Sequence, residues 1–345
     1  MSEGLATLEA RVEEPLLVSS LVNVRYLTGL ASSNAVLLVA PDGTRLYTDF
    51  RYLARAHEVE GVEVVQTRRD IYAELTELLE GRLAFEPKAL SYERYAMLTA
   101  AGLDLVPRPG LVEAMRAVKD EGEKDAIRRA TAVTNEAYAR LAGEPFLGRR
   151  ERDLAWLLTS LLHELGGEDT AFDVIVASGP TGGSPHAVPG DRLVGQNETI
   201  VVDAGCRVDG YCSDCTRTFL TGEPPDELTH AYAVVKEAQE TGLAAVRAGA
   251  DSADVDWAAR DVVEKAGLGD RFGHGLGHGL GLEVHEAPYL NVEWPATLEA
   301  GNVVTIEPGV YLPGVGGIRI EDLVIVTDGG CEVLTSFTKE PVTVG

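Results

Sequence analysis

The sequence is short of cysteine, short of basic side chains and without any long apolar run. Four cysteines in 345 residues do not make a disulfide framework for a chain of this size, so a reduced, cytoplasmic setting is expected. Lysine and arginine number 30 against 55 aspartates and glutamates, a net charge of −25. Nucleic-acid backbones and anionic lipid both require clustered cations, so neither is an expected partner. No apolar stretch approaches the length of a membrane span. The opening residues, MSEGLATLEARVEEP, are acidic and lack the apolar core of a secretory leader, so none is expected. There is no low-complexity tract and no short-period repeat.

What is there is ordinary in bulk and unusual in placement. Hydrophobic residues make up 45% and charged residues 25%, as in a soluble globular protein. The length favours two domains. Residues 16–50 alternate apolar runs with turns (LLVSSL, NAVLLVA, Pro41-Asp42-Gly43, TRLYTDF), which is strand–turn–strand chemistry. Tyr52–Glu58 and Ile71–Leu79 have helical spacing, and VEVVQT (62–67) and RLAFE (82–86) read as strands. Nothing in residues 1–110 clusters reactive side chains, so a structural or substrate-covering α/β domain is expected there. Pro107-Arg108-Pro109-Gly110 punctuates the chain, and the boundary is placed near Gly110, giving domains 1–110 and 111–345.

The second region opens with helices over 111–142, where Ile127, Thr131, Thr134, Tyr138 and Leu141 share a face. Another helix covers Glu151–Leu165 and stops at Gly166-Gly167. FDVIVA (172–177) reads as a strand leading to a glycine- and proline-rich loop that carries His186. A strand ending at Asp203 and a second bearing Asp214 follow. Helices are expected over Asp226–Ala248 and from a cap at Asp251 or Ser252 to Lys265. The stretch RFGHGLGHGLGLEVHE (271–286) holds His274, His278 and His285 among glycines that suit neither helix nor packed strand. Beyond it, two strands joined by a glycine-rich turn carry Glu307 and Glu321.

Asp203 follows TIVV, Glu307 follows VVTI, and Glu321-Asp322 lies between GIRI and LVIV; Asp214 precedes Thr-Phe-Leu. Desolvating an isolated carboxylate costs several kcal/mol or more. Four carboxylates on separate apolar strands of an acidic protein therefore call for a cation. With His278 added, the set is oxygen-rich with one imidazole, which suits Mn²⁺, Co²⁺, Fe²⁺ or Zn²⁺ better than a thiolate site. Five ligands exceed one tetrahedral ion, whereas two ions with bridging carboxylates would use all five.

VDAG (202–205), SDCTRT (213–218), GHGLGLEVHE (277–286), TIEPG (305–309) and RIED (319–322) occur in the order seen in the pita-bread metallopeptidases. The chain resembles their proline-specific branch, the Xaa-Pro aminopeptidases and Xaa-Pro dipeptidases (prolidases). NVRYLTGLASSNAVLLVAPDGTRLYTDFRY (23–52) resembles the creatinase-type N-terminal domain of that branch, so the likeness covers nearly the whole chain. It implies an α+β protein, with a C-terminal pita-bread catalytic domain preceded by a smaller creatinase-type α/β domain. It implies a homodimer, and two divalent ions per chain, manganese first among them. The reaction implied is hydrolysis of the bond between an N-terminal residue and a following proline by a metal-bridging hydroxide. Asp203 would chelate one ion, Asp214 and Glu321 would bridge, and His278 and Glu307 would complete the second. Glu307 would also shuttle a proton, His285 would stabilise the tetrahedral intermediate, and His186 would line the proline side. Thr216 and Arg319 would orient carboxylates. His274, to which the family assigns no ligand role, is placed near the pocket.

One position departs from the pattern. Dipeptide-cleaving relatives often carry an arginine shortly after the HEAP-type motif to grip the substrate carboxylate; Tyr289 stands here. That favours an aminopeptidase acting on longer peptides over a strict prolidase. A metal-free creatinase-like hydrolase or a non-catalytic binding module on the same fold is the reading from another class, and retention of all five ligands weighs against it. Cys212-x-x-Cys215 invites zinc or redox chemistry, but only Cys206 and Cys331 remain to complete a site. The glycines at 273–281 fit no G-x-G-x-x-G register, which disfavours a dinucleotide. His57, His163 and His230 read as solvated.

Overall fold

A computed structural model describes residues 3–345. The chain divides into two compact units, Met1–Arg116 and Ala117–Gly345. The division falls within the helix Leu111–Ala117, whose Val112 and Arg116 are buried. Arg116 Nη1 donates to Asn23 Oδ1 at 2.8 Å.

The first unit is built on a six-stranded sheet in the order 63–67, 43–49, 35–40, 16–18, 82–85, 104–107. Its middle strand Leu16–Val18 is antiparallel to Ala35–Ala40 and parallel to Arg82–Phe85. The run LLVSSL is not one strand. Extension ends at Val18, and Ser20 caps a helix, Leu21–Thr28, by accepting from Asn23 N. Gly29, at φ 72°, closes that helix in the left-handed conformation, where a residue without Cβ carries no strain. The apolar strand faces and the two-sided burial of Ala35–Ala40 follow from helices packed on both sides.

In the second unit, helix Glu121–Leu141 starts at a capping box in which Asp120 and Glu123 satisfy each other's backbone N–H groups, a device worth about 1 kcal/mol. Ile127, Thr131, Thr134, Tyr138 and Leu141 are all buried, the face the spacing predicts. With helix Glu151–Glu164 it packs on a four-stranded sheet ordered 342–343, 216–221, 198–203, 175–178. Helices Asp226–Ala245 and Ser252–Lys265 pack on a five-stranded sheet ordered 286–290, 277–279, 303–306, 322–327, 330–333. Asp251 caps the second of these. Each sheet therefore buries one face under a helix pair, the layered α+β arrangement expected of the pita-bread fold.

Three local expectations change. The glycine stretch contains a packed strand after all: Gly277–Gly279 is buried between two neighbours. A Cβ at Gly277 would land on the Thr305 carbonyl oxygen, so glycine here serves close approach between strands and not a loop. Asp214 does not lie on a strand; it occupies the turn between Tyr211–Cys212 and Thr216–Thr221. The C-terminal "two strands" are Val303–Ile306, Gly309–Leu312, Gly316–Arg319 and Asp322–Thr327, with Gly330–Val333 beyond. Glu307 and Glu321 sit at the breaks, where the chain leaves one strand before starting the next. Among the described residues no helix is long and apolar enough to cross a membrane.

Candidate metal centre

The four- and five-stranded sheets of the second unit, together with the two-stranded sheet of Gly309–Leu312 and Gly316–Arg319, are stitched together by backbone and side-chain bonds. Glu321 N donates to Thr216 O at 3.1 Å, and Thr218 Oγ1 donates to Arg319 O at 2.9 Å. Arg217 Nη1 donates to the carbonyls of Thr216 and Glu321, and its Nη2 pairs with the buried Asp322 at 2.8 Å. Asp203 ends its strand directly opposite Thr216. Residues from these sheets thus converge on one pocket of about 500 Å³, lined by Asp203, Asp214, His278, Glu307 and Glu321.

Ligand-capable atoms of Asp214, His278 and Glu321 lie within 4.8 Å of one another, and all three residues are buried. His278 Nε2 is 3.7 Å from Asp214 Oδ2 and 3.2 Å from Glu307 Oε1. His278 Nδ1 donates to Gly279 O at 3.1 Å, which leaves Nε2 facing the carboxylates. Thr305 positions two members at once. Its hydroxyl accepts from His278 N at 3.1 Å and donates to Glu307 Oε1 at 3.2 Å. Glu307 N is further held by Leu276 O at 2.8 Å.

Arg319 joins the other side. Nη2 donates to Asp203 Oδ2 at 2.6 Å, Nε to Thr216 Oγ1 at 3.0 Å, and Nη1 to the Tyr311 hydroxyl at 2.8 Å. Thr216 Oγ1 in turn donates to Glu321 Oε2 at 2.9 Å. The Tyr311 hydroxyl also meets His274 Nε2 at 3.1 Å, so His274 lies beside the centre through Tyr311. His186, His285 and Tyr289 line the same pocket, with the His285 ring 4.2 Å from the His278 ring. The five carboxylate and imidazole side chains, the two orienting residues, and the four rim residues named from sequence are therefore brought together. His57, His163 and His230 are exposed elsewhere.

The electrostatics are those of an over-acidic site. Burial pushes the Asp214 carboxyl well up, and the charges of Glu321, Asp203 and Glu307 add to it. Glu321 is pushed well up by burial and by Glu307 and Asp203. Burial also raises Asp203, against the Arg319 charge. Glu307 alone goes down, to about 2: burial opposes, but its hydrogen bond to His278 prevails. His278 is correspondingly raised, despite burial. Asp203 Oδ1 and Glu321 Oε1 are buried with no hydrogen-bond partner. Buried acceptors without donors are rare and costly, and one guanidinium, Arg319, and one imidazole, His278, face four carboxylates. Divalent ions fit this donor set, which is oxygen-rich with a single imidazole and no thiolate.

Residues not singled out by the sequence hold this centre. Asp256, on helix Ser252–Lys265, is fully buried, accepts from Leu276 N at 2.8 Å and pairs with both ends of Arg260. Arg260 in turn donates to Phe272 O at 3.0 Å and His274 O at 2.7 Å. The pair fixes the backbone that enters the histidine strand. Its i,i+4 spacing was visible, but its target was not. Cys212 and Cys215 are buried in separate surroundings and burial raises both thiols. Cys215 belongs to the apolar core that also holds Tyr138 and Phe219. Cys212 belongs to a different apolar cluster, with Ile127 and Leu280.

A buried carboxylate–imidazole centre between two sheets, orienting arginine and threonine included, defines a metallohydrolase. Residues 125–328 match metallopeptidase family M24, and residues 5–118 match the creatinase/prolidase N-terminal domain. The chain belongs to metallopeptidase family M24 and is a metal-dependent peptide hydrolase. It is 33% identical over 326 residues to a Xaa-Pro dipeptidase of Pyrococcus furiosus, covering 92% of each chain. A Xaa-Pro dipeptidase structure from Bacillus anthracis superposes with a TM-score of 0.96 at 34% identity, covering 99% of both chains. An X-Pro aminopeptidase from Thermotoga maritima gives 0.87 at 33% identity, covering 96% of this chain and 97% of that one.

Proposed function

We propose that this protein is an Xaa-Pro aminopeptidase with two divalent ions, manganese expected, that removes the residue preceding a proline from tripeptides and longer peptides. Asp203, Asp214, His278, Glu307 and Glu321 would hold the ions, since five donor side chains exceed what one tetrahedral ion uses. When bound, such ions polarise a carbonyl oxygen and make water acidic enough to attack near neutral pH.

The chain's own residues supply the rest. Glu307 is ionised in its present surroundings, is oriented by Thr305, and is the group to take the proton from the attacking water and deliver it to the leaving proline nitrogen. The His285 imidazole is held down by burial and by the neighbouring His278, so it is neutral and donates through an N–H to the developing oxyanion. His186 contacts the proline side of the scissile bond. Thr216 and Arg319 keep Asp203 and Glu321 in one orientation through the cycle. Tyr289 and the apolar Val188 and Val284 form pocket wall.

The observation that carries the preference for longer peptides is the absence of a spare cation. Among the described residues lining the pocket the one guanidinium is Arg319, and its nitrogens are engaged by Asp203, Thr216, Tyr311 and Pro185 O. A free prolyl carboxylate would find no bidentate partner there. The dipeptidase reading draws on the names of the Bacillus and Pyrococcus relatives. Turnover of Ala-Pro, Ala-Pro-Ala and Ala-Pro-Ala-Ala by manganese-loaded enzyme separates the two. Cleavage confined to Ala-Pro overturns the aminopeptidase assignment, and cleavage of Ala-Ala-Ala at equal rate overturns proline specificity.

A further inference from the structure

His186 lies in a segment with little regular structure. After the strand Ile175–Ser178 comes one 3-10 turn, Gly179–Gly183, and then irregular chain to Gly190. An exposed imidazole on such a segment keeps one position only if the segment's ends are fixed by something rigid. Both ends meet the same carboxylate.

Glu151 opens helix Glu151–Glu164 and is 1% exposed. Its Oε1 accepts from Ser178 N and Ser178 Oγ, each at 2.8 Å, and from Thr181 Oγ1. Its Oε2 accepts from Gly190 N at 3.3 Å. Thus one oxygen holds the leading end of the His186 segment and the other holds the trailing end. The main chain follows suit, since Arg152 N donates to Gly190 O at 3.2 Å and Glu151 N to Arg192 O at 3.1 Å. Glu151 does not line the pocket, so it makes no contact with the centre itself. A buried carboxylate is costly unless its acceptors are filled, and the donors that fill this one come from Ser178, the last strand residue before the segment bearing His186, and from Thr181 and Gly190 within it.

We propose that Glu151 is a positioning residue: its carboxylate spans the two ends of segment 179–190 and thereby sets where the His186 imidazole stands at the pocket rim. The proposal rests on His186 contacting substrate, as in the function proposed above. Glu151→Gln keeps the side-chain length and one acceptor for Ser178 and Thr181. It turns an amide NH₂ toward the Gly190 N–H, so donor faces donor and the trailing end loses its side-chain tie, keeping only the main-chain bonds of Gly190 O and Arg192 O. Misplacing a contacting group by ~1 Å can cost up to ~100-fold in rate.

The test is a double-mutant cycle on kcat/KM for Ala-Pro-Ala with the manganese-loaded enzyme. In the parent, Glu151→Gln is expected to lower kcat/KM about 10-fold; in a His186→Ala background the loss should be under about 2-fold, since the two act as one unit. Equal factors in both backgrounds overturn the positioning role and leave the role of His186 standing. If His186→Ala alone changes nothing, the contact with substrate is refuted, and the proposal with it. Should Glu151→Gln fail to fold, Thr181→Val removes one donor from the leading end and is read in the same cycle, with the same two outcomes.

Discussion

Arg319 Nη2 stands 2.6 Å from Asp203 Oδ2, and the same guanidinium holds Thr216 and Tyr311. A lysine offers one point charge where three directions are required. Arg319→Lys is therefore expected to lower kcat at least about 10-fold by freeing Asp203 or Thr216, an effect in the range of lost ligand-orienting contacts. Steady-state kinetics beside metal content measured by elemental analysis check this. Unchanged kcat with full metal content would count against an orienting role.

Chelation should abolish turnover, and added manganese should restore it. Stripped protein should also respond to pH in a definite sense. Asp214 and Glu321 have raised carboxyl values in the metal-free site, so their contribution to stability is present at low pH and is lost as pH rises through those raised values. Ions must displace the bound protons. Proton release on titrating manganese into weakly buffered stripped enzyme should therefore shrink as the pH of the titration is raised. At 100 times Kd the ion should add about 2.7 kcal/mol of stability, read as a higher unfolding midpoint.

Arg260→Leu removes the donors to Phe272 O and His274 O and leaves Asp256 with only Leu276 N and no cation. Breaking a buried pair on one side costs roughly 3–5 kcal/mol; Arg260 is partly exposed, so the lower end is expected. Denaturant unfolding gives the number. Manganese affinity should fall too, because the loosened backbone leads straight to His278.

Alkylation of the native protein at neutral pH should leave Cys206, Cys212 and Cys215 unmodified, since all three are buried and burial raises each thiol. Mass spectrometry with and without denaturant decides it. Rapid labelling of Cys212 or Cys215 in folded protein would reopen the reactive-thiol reading.

The acidic members of the centre were legible because carboxylates at the ends of apolar strands break a pattern that burial otherwise enforces. Helices such as Glu121–Leu141 were legible from their face and their caps. The helix Leu21–Thr28 was not, because its residues continue an apolar run and only Ser20 and Gly29 mark its ends. Thr305 and Tyr311 were invisible for a different reason: each acts through partners on other strands, and pairing between distant strands leaves no local periodicity. Glu151 is similar. At the start of a helix an acidic residue looks like a favourable partner for the helix dipole, and its real donors are supplied by chain 27 to 39 residues away.

The buried Gly277–Gly279 strand has a consequence for how this molecule tolerates change. A methyl group at Gly277 would collide with the neighbouring strand's carbonyl and wedge His278 away from Thr305. A saturation scan should therefore find a position with no functional group as unforgiving as the histidine beside it. Clearance between two backbones, as much as reactivity, limits which descendants of this sequence can keep the enzyme alive.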